Sequence, residues 1–304
     1  MKRIAERFMG PGALAFPTWA YAVFFFVVPV ALVLFYSFGY KPDEFTAVAT
    51  DSLTFDRYGE ALSGTFLTTF GHTLRISILG TALCLLISVP FAYWLAVKVS
   101  PGRRGLLLAL VMIPFWTNFL VRTLGWQIML SPQGFLSDGL QSLGLTDSPL
   151  EILYTRLAVQ IGVVYNYLPL MVLPLFVAMD SAGKSLREAS QDLGAARWST
   201  FRHITLPMAM PGVVSGCLLV FIPLTGDYVT ASVLGGASGS MIGQSIADQF
   251  NTAQNWALGA AMAVVLVLAT VTVLALAAIL SWVIRRVLAR INRIELPTSE
   301  GAGA

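Results

Sequence analysis

Apolar runs long enough to cross a bilayer dominate this sequence. A helix needs roughly 20 apolar residues to span the hydrocarbon core, and in lipid its backbone polar groups must be satisfied internally. Six such runs can be drawn, at about 17–39, 72–97, 105–130, 157–179, 209–231 and 257–284. Hydrophobic residues make up 56% of the 304 and charged residues 12%, about half the charge of an ordinary soluble domain. The expected fold is an all-α membrane protein with six transmembrane helices in one domain, 17–284. No soluble segment is large enough to house an enzyme.

Charge sorts onto two sides of these runs. Lys2, Arg3 and Arg7 precede the first. Lys98, Arg103 and Arg104 lie between the second and third, and Lys184, Arg187, Arg197 and Arg202 between the fourth and fifth. Arg285, Arg286, Arg290 and Arg293 follow the sixth. The alternate loops hold Lys41 and Arg57 among acids such as Asp43, Asp51, Asp138, Asp147 and Glu151. Lys and Arg favour the cytoplasmic side of short loops. Both termini, 1–16 and 285–304, are therefore expected in the cytoplasm, with the tail beyond Arg293 disordered. The first run is long for a signal peptide and has no small-x-small cleavage site after it, so it is expected to remain as a span. The net charge of +3 reflects surface loops and implies no nucleic-acid partner. Cys84 and Cys217 lie inside apolar runs and read as small core residues.

Pro90, Pro114, Pro169, Pro174 and Pro223 fall within the spans. A broken helix at membrane depth is tolerated where neighbours or a water-lined cavity satisfy the freed carbonyls. These prolines point to a bundle with an interior path, and structural kinks alone would use the same residues.

Between the fourth and fifth runs, in a predicted cytoplasmic loop of 180–208, the chain reads Glu188-Ala189-Ser190, then Gly194, then Ile204-Thr205-Leu206-Pro207. Leu186, Ala189, Ser190 and Leu193 share one face of a helix, at i, i+3, i+4 and i+7. Two of the four are small, which lets the helix lie deep in a partner's groove. Arg187, Gln191 and Asp192 fall on or near the other face. Gly194 permits positive φ and a turn. A second short helix is expected from Ala195 to about His203, with Trp198 and Phe201 packing back on the bundle. Leu206-Pro207 should stop it, and Pro211 should help start the fifth span. This spacing resembles the "EAA" loop of permease subunits in binding-protein-dependent ABC importers, with Ser190 where the family has a second Ala. The resemblance implies that the loop seats on a cytoplasmic ATPase through Glu188, Ala189, Ser190, Leu193, Gly194 and Ala195. Glu188 would hold the contact and Gly194 shape the bend. An ordinary amphipathic connector is the plainer alternative.

Two further stretches carry polar groups into spans: Ile113-Pro114-Phe115-Trp116-Thr117-Asn118 through Arg122-Thr123, and Phe221-Ile222-Pro223-Leu224-Thr225-Gly226-Asp227-Tyr228. With Leu234-Gly235-Gly236 and Met241-Ile242-Gly243-Gln244, they make most of the chain resemble permease subunits of spermidine/putrescine importers, of the PotB/PotH kind. Arg122 and Asp227 are the ionisable residues well inside spans, at similar predicted depth. Charges there default to functional or mutually paired. Either Asp227 faces a path and attracts an ammonium group, with cation–π help from Trp116, Tyr165, Tyr167 and Tyr228, or Arg122 and Asp227 pair to fix packing. Asn166 either lines the path or bonds a neighbouring helix. His72 and Arg75 sit near the outer end of the second span. There Arg75 snorkels to the interface or meets a binding protein.

No G-x-x-x-x-G-K-[ST] loop, metal-ligand cluster or nucleophile-base pair is legible, so no catalytic or metal site is expected. The resemblance implies no cofactor in this chain, with ATP and Mg held by the partner ATPase. It implies a second homologous permease, two ATPase copies and an extracytoplasmic substrate-binding protein. The cargo would be a small cation, and the setting the bacterial cytoplasmic (inner) membrane. The alternatives are the same importer class carrying an opine, another amine or an organic acid, and an ion-coupled secondary transporter in which Asp227 takes a proton.

Overall fold

A computed structural model describes residues 11–181 and 183–291. Lys2, Arg3, Arg7, Arg293 and the tail lie outside the described residues. Helix α1 runs from Pro11–Ala22 through a π-turn at Val23–Val27 into Val28–Tyr36. Next come α2 (Asp56–Ala61), α3 (Gly64–Val97), α4 (Pro101–Trp116), α5 (Phe119–Leu130) and α6 (Phe135–Ser142). Then come α7 (Arg156–Ser181), α8 (Lys184–Asp192) and α9, which runs from Arg197–Thr200 through a π-turn at Phe201–Thr205 into Leu206–Thr225. A π-turn at Ala231–Gly235 precedes α10 (Ile242–Asn251) and α11 (Trp256–Ile291). Among the described residues the β-structure is one isolated bridge, Tyr40 to Ala49.

Five of these helices are long and apolar enough to cross a membrane, and the bent pair α4 with α5–α6 makes a sixth if counted as one span. Four of the six predicted spans correspond closely to α1, α3, α7 and α11. The other two are corrected. The run at 105–130 is not one straight helix: α4 stops at Trp116 and the chain turns by 88° into Phe119–Ser142. The run at 209–231 starts earlier and stops sooner, since the spanning helix is Arg197–Thr225.

Leu206-Pro207 does not stop a short helix, and Pro211 does not start one; both prolines lie within α9. A proline removes one N–H and crowds the carbonyl four residues back. Here the chain widens locally into the π-turn at Phe201–Thr205. The Leu206 N–H donates to the Phe201 carbonyl, five residues back, so the helix continues through the proline.

The bundle is built around α7, which packs along both α3 and α9. Met171, Val172, Leu175 and Met179 of α7 are fully buried, with Leu95 of α3 and Leu224 of α9. Lipid tails are as apolar as these side chains, so helix association in a bilayer rests on close packing rather than on the hydrophobic effect. Gly212 and Gly216 provide it. A Cβ on Gly212 would lie 2.6 Å from the Pro174 carbonyl oxygen and on top of the Ala178 Cβ, and one on Gly216 would lie 2.7 Å from the Met171 sulfur. Gly212→Val is expected to force α9 off α7 and to cost about 1–3 kcal/mol. A lower thermal midpoint of the detergent-solubilised chain would show it. An unchanged midpoint would mean that the two helices are not in this close contact. A smaller cluster joins α2, the start of α3, α10 and α11 through Ala61, Phe66, Ile242, Ala261 and Met262. Helix α1 touches α11 but buries none of its apolar window.

Candidate functional site

The Glu188 region forms a compact corner between two helices. Helix α8 ends in a double hydrogen-bonded cap. Gly194 sits at φ +87°, its N–H reaches the Gln191 carbonyl at 2.9 Å, and the Ala195 N–H reaches the Ser190 carbonyl at 3.1 Å. This is the geometry that a glycine just past a helix terminus supplies. It turns the chain straight back into α9, where the Ser190 hydroxyl meets the Thr200 hydroxyl at 3.1 Å.

The inward face of α8 is held by Arg187. The residue is only 6% exposed, and its guanidinium donates to the Met179 carbonyl at the end of α7, at 3.2 Å. Leu186, Glu188, Ala189 and Leu193 are exposed, Leu193 at 89%. An exposed leucine beside an exposed alanine on a helix this amphipathic is surface without a partner within the chain. Glu188 is tied only to Lys184, one turn back at 3.1 Å. Trp198 stacks on Phe201, which meets Tyr93 edge-on at 5.0 Å. Phe201 thus packs on the bundle as predicted, while Trp198 stays largely exposed.

Arg104 was legible only as one of the basic loop residues, and it proves to be the clamp beside this surface. It pairs with Asp180 at 2.5 Å and donates to the carbonyls of Ala96 at 2.7 Å and Val99 at 3.0 Å. It therefore ties the start of α4 to the ends of α3 and α7. A cleft of about 570 Å³ opens here, lined by Arg104, Asp180, Arg187 and Glu188 among others.

The second feature is a pair of helix breaks, each following a proline. After Pro114, the Thr117 N–H and hydroxyl both return to the Pro114 carbonyl, at 3.2 and 2.7 Å. Asn118 then caps α5, its side-chain oxygen accepting from the N–H groups of Leu120 and Val121 at 2.8 and 3.4 Å. After Pro223, the Gly226 N–H returns to the Pro223 carbonyl at 3.2 Å. Asp227 starts the next turn: one carboxylate oxygen accepts from the Thr230 N–H at 3.0 Å and the other from the Thr230 hydroxyl at 2.6 Å. Asn and Asp are strong caps because they satisfy N–H groups that have no partner inside the helix. Where water is scarce, that need is acute.

This geometry rearranges the expected central residues. Arg122 and Asp227 do not form an ion pair. The ion pairs among the described residues are Arg57–Glu60, Arg104–Asp180 and Lys184–Glu188. Asp227 is 6% exposed and spends its carboxylate on Thr230, with the Tyr167 hydroxyl beside it. Arg122 lies over the rings of Phe119 and Phe115, at 5.4 and 5.6 Å, near Tyr165 and Tyr167. Its Nε and Nη1 have no hydrogen-bond partner among the described residues. Tyr167 thus lies next to both charges. Asn166 is buried and donates to the Thr123 hydroxyl at 3.2 Å, linking α7 to α5. Tyr165 packs edge-on against Trp126. Trp116 and Tyr228, exposed at 82% and 51%, stand apart from the cluster, each close to one of the breaks.

Arg156 was missed because it sits at a predicted span boundary. It donates to the Ser238 carbonyl at 2.9 Å and lies 3.3 Å from His72 Nε2. It joins the start of α7 to α3 and to the glycine-rich loop after the second break. Arg75, predicted to snorkel or to meet a binding protein, is exposed on α3. Among the described residues no group of three or more His, Cys, Asp or Glu is arranged to hold a metal.

Residues 88–293 match the family model described as "Binding-protein-dependent transport system inner membrane component". The chain is 41% identical over 213 residues to the spermidine/putrescine transport system permease protein PotB of Salmonella typhimurium, covering 70% of this chain and 74% of that one. Its fold is similar to a chain in the crystal structure of a bacterial ABC transporter involved in the import of the acidic polysaccharide alginate. The TM-score is 0.72 at 17% identity, over 92% of this chain and 97% of that one. It is similar also to a chain of the bacterial alginate ABC transporter in complex with alginate pentasaccharide-bound periplasmic protein, with a TM-score of 0.71 at 16% identity over 90% and 94% of the two chains.

Proposed function

This chain belongs to the family of binding-protein-dependent transport system inner membrane components, and on that premise we propose that it is the permease subunit of an ATP-driven importer for polyamines such as spermidine or putrescine. It is a multi-pass protein of the bacterial inner membrane. The identity to a PotB permease over most of the chain is the observation that carries the cargo class. The alginate transporters share the fold at under 20% identity and say nothing of cargo here.

The proposed coupling element is α8 with its cap: Glu188, Ala189, Ser190, Leu193, Gly194 and Ala195. Its exposed face meets the cytoplasmic ATPase, while Arg187 and the Ser190–Thr200 contact make α8 move as one body with α7 and α9. Rotation of the ATPase would then reach the two helices that form the centre of the bundle. This is the rigid rocking by which alternating access commonly operates. The charge pattern supports a cytoplasmic position for α8 and both termini. The proposed partners are a second permease, two ATPase copies that bind ATP and Mg, and an extracytoplasmic binding protein.

The proposed path runs along the two helix breaks, with divided roles. Asp227 and Asn166 are buried and bonded, and they shape the wall. Trp116 and Tyr228 are exposed beside the breaks and offer ring faces to an ammonium group. Arg122, Tyr165 and Tyr167 form the cationic-aromatic cluster behind them. One buried, already bonded carboxylate does not neutralise a polyamine, so the second permease supplies further acidic groups.

The test is substrate-stimulated ATP hydrolysis by the reconstituted complex with its binding protein, across spermidine, putrescine, opines and small organic acids. Polyamines are expected to stimulate and the others not. Stimulation by another compound alone would replace the cargo, and uptake without any ATPase would replace the class with an ion-coupled carrier.

A further inference from the structure

A second groove, of about 710 Å³, lies between α3 and the start of α9 and takes no part in the proposed path. One wall is a stripe of α3: Ala82, Leu85, Leu86, Val89 and Pro90, with Leu206 of α9 opposite. Those α3 positions recur at three- and four-residue intervals and so share one face. Farther along, three rings form a collar. Tyr93 meets Phe201 edge-on and Trp198 stacks on Phe201 at 5.4 Å. Past the collar are Lys98 and Arg197, both exposed. Among the described residues neither forms an ion pair, and no acidic residue lines the groove. From Ala82 to Lys98 the helix rises about 24 Å, so the groove passes in order through apolar, aromatic and cationic zones.

That order is the depth profile of one leaflet: acyl chains, then the interface where Trp and Tyr collect, then headgroups. We propose that the groove holds an anionic phospholipid, with an acyl chain along Ala82–Pro90 and the headgroup phosphate on Lys98 and Arg197. Charge complementarity selects this occupant. A protein helix would leave two cations uncompensated, and a zwitterionic lipid would repay them with a neutral headgroup. Basic clefts between membrane helices at the cytoplasmic face are suited to anionic headgroups. Arg197 also lines the cleft beside α8, so a bound headgroup sits where α8 turns into α9 and stiffens that corner.

The test uses the full chain in phosphatidylcholine vesicles carrying acyl-brominated phosphatidylglycerol or acyl-brominated phosphatidylcholine. Trp198 emission is isolated from that of the other tryptophans by subtracting Trp198→Phe. Brominated phosphatidylglycerol is expected to half-quench Trp198 at a mole fraction roughly fivefold lower per basic residue, and the double variant Lys98→Gln/Arg197→Gln should abolish the preference. Equal quenching by the two lipids, an unchanged preference in the double variant, or no quenching by either because protein fills the groove would each overturn the proposal. If the double variant fails to insert, the wild-type chain decides the matter by salt. A preference carried by exposed charges shrinks as ionic strength rises, and one that does not shrink overturns the assignment.

Discussion

Glu188→Lys is expected to lower transport by roughly tenfold to a hundredfold, the range that loss of a central interface contact produces, while the chain still inserts. The reason is where Glu188 sits. Its partner, Lys184, is more exposed still, the two side chains standing at 83% and 58%, and such helical pairs contribute only a few tenths of a kcal/mol. The fold therefore loses little when the pair becomes two like charges, which costs a similar amount. Whatever docks on the exposed face of α8 meets a charge of opposite sign beside Ala189 and Leu193. Co-purification of the ATPase should fall in parallel with uptake, and the amount of permease in the membrane fraction should not. Unchanged uptake would remove α8 as the coupling element. Loss of permease from the membrane would mean that Glu188 serves folding.

The second large effect is at Asp227. Asp227→Ala leaves the Thr230 N–H and hydroxyl without their acceptors in a buried site, at an expected cost of about 1–3 kcal/mol. A lower thermal midpoint and reduced uptake should appear together. Asp227→Asn keeps a side-chain oxygen for the Thr230 N–H, so most of the stability is expected to return. Uptake should return with it if the residue's work is to hold the break. An Asn variant of normal stability with uptake down more than tenfold would instead show that the negative charge acts on the cargo. Because both variants remove the charge and only Ala removes the cap, their comparison separates wall shape from electrostatics.

These two sites differ in how far the sequence revealed them. Glu188 to Pro207 was legible because its information is local. A helical stripe, a glycine able to take φ +87° and a fixed spacing are all properties of neighbouring residues. Arg187 was assigned to the face opposite the small-residue stripe, and the structure adds what that face meets, the end of α7. A wheel of side chains says which residues share a face but not which face meets the end of α7. The proline at 207 was read as a stop by its ordinary effect on helices. It is absorbed because a π-turn makes room just before it, and that turn is held by the packing of Phe201 on Tyr93.

Arg122 and Asp227 show the limit most sharply. Counting residues along two straight helices put them at equal depth and offered a pair. The count assumed that 105–130 continues straight, and the chain turns by 88° after Trp116. The two residues do come near the same tyrosine, Tyr167, but each is committed elsewhere, Asp227 to Thr230 and Arg122 to the faces of Phe115 and Phe119. The polar residues that the sequence placed inside apolar runs turn out in large part to be caps. Asn118 and Asp227 both stand four residues after a proline and restart a helix.

What the sequence alone determined is the set of apolar runs, the uneven charge of the loops between them and the loop that resembles a coupling element, because hydropathy, charge and short-range helical spacing add up along the chain. What only the tertiary structure decided is where the helices break, which way they leave the break, and which partner each buried polar group takes. Those outcomes depend on contacts between residues far apart in the chain, such as Gly212 on Pro174 and Asn166 on Thr123. In a medium without water, a polar group bonds to whatever acceptor the packing brings within reach.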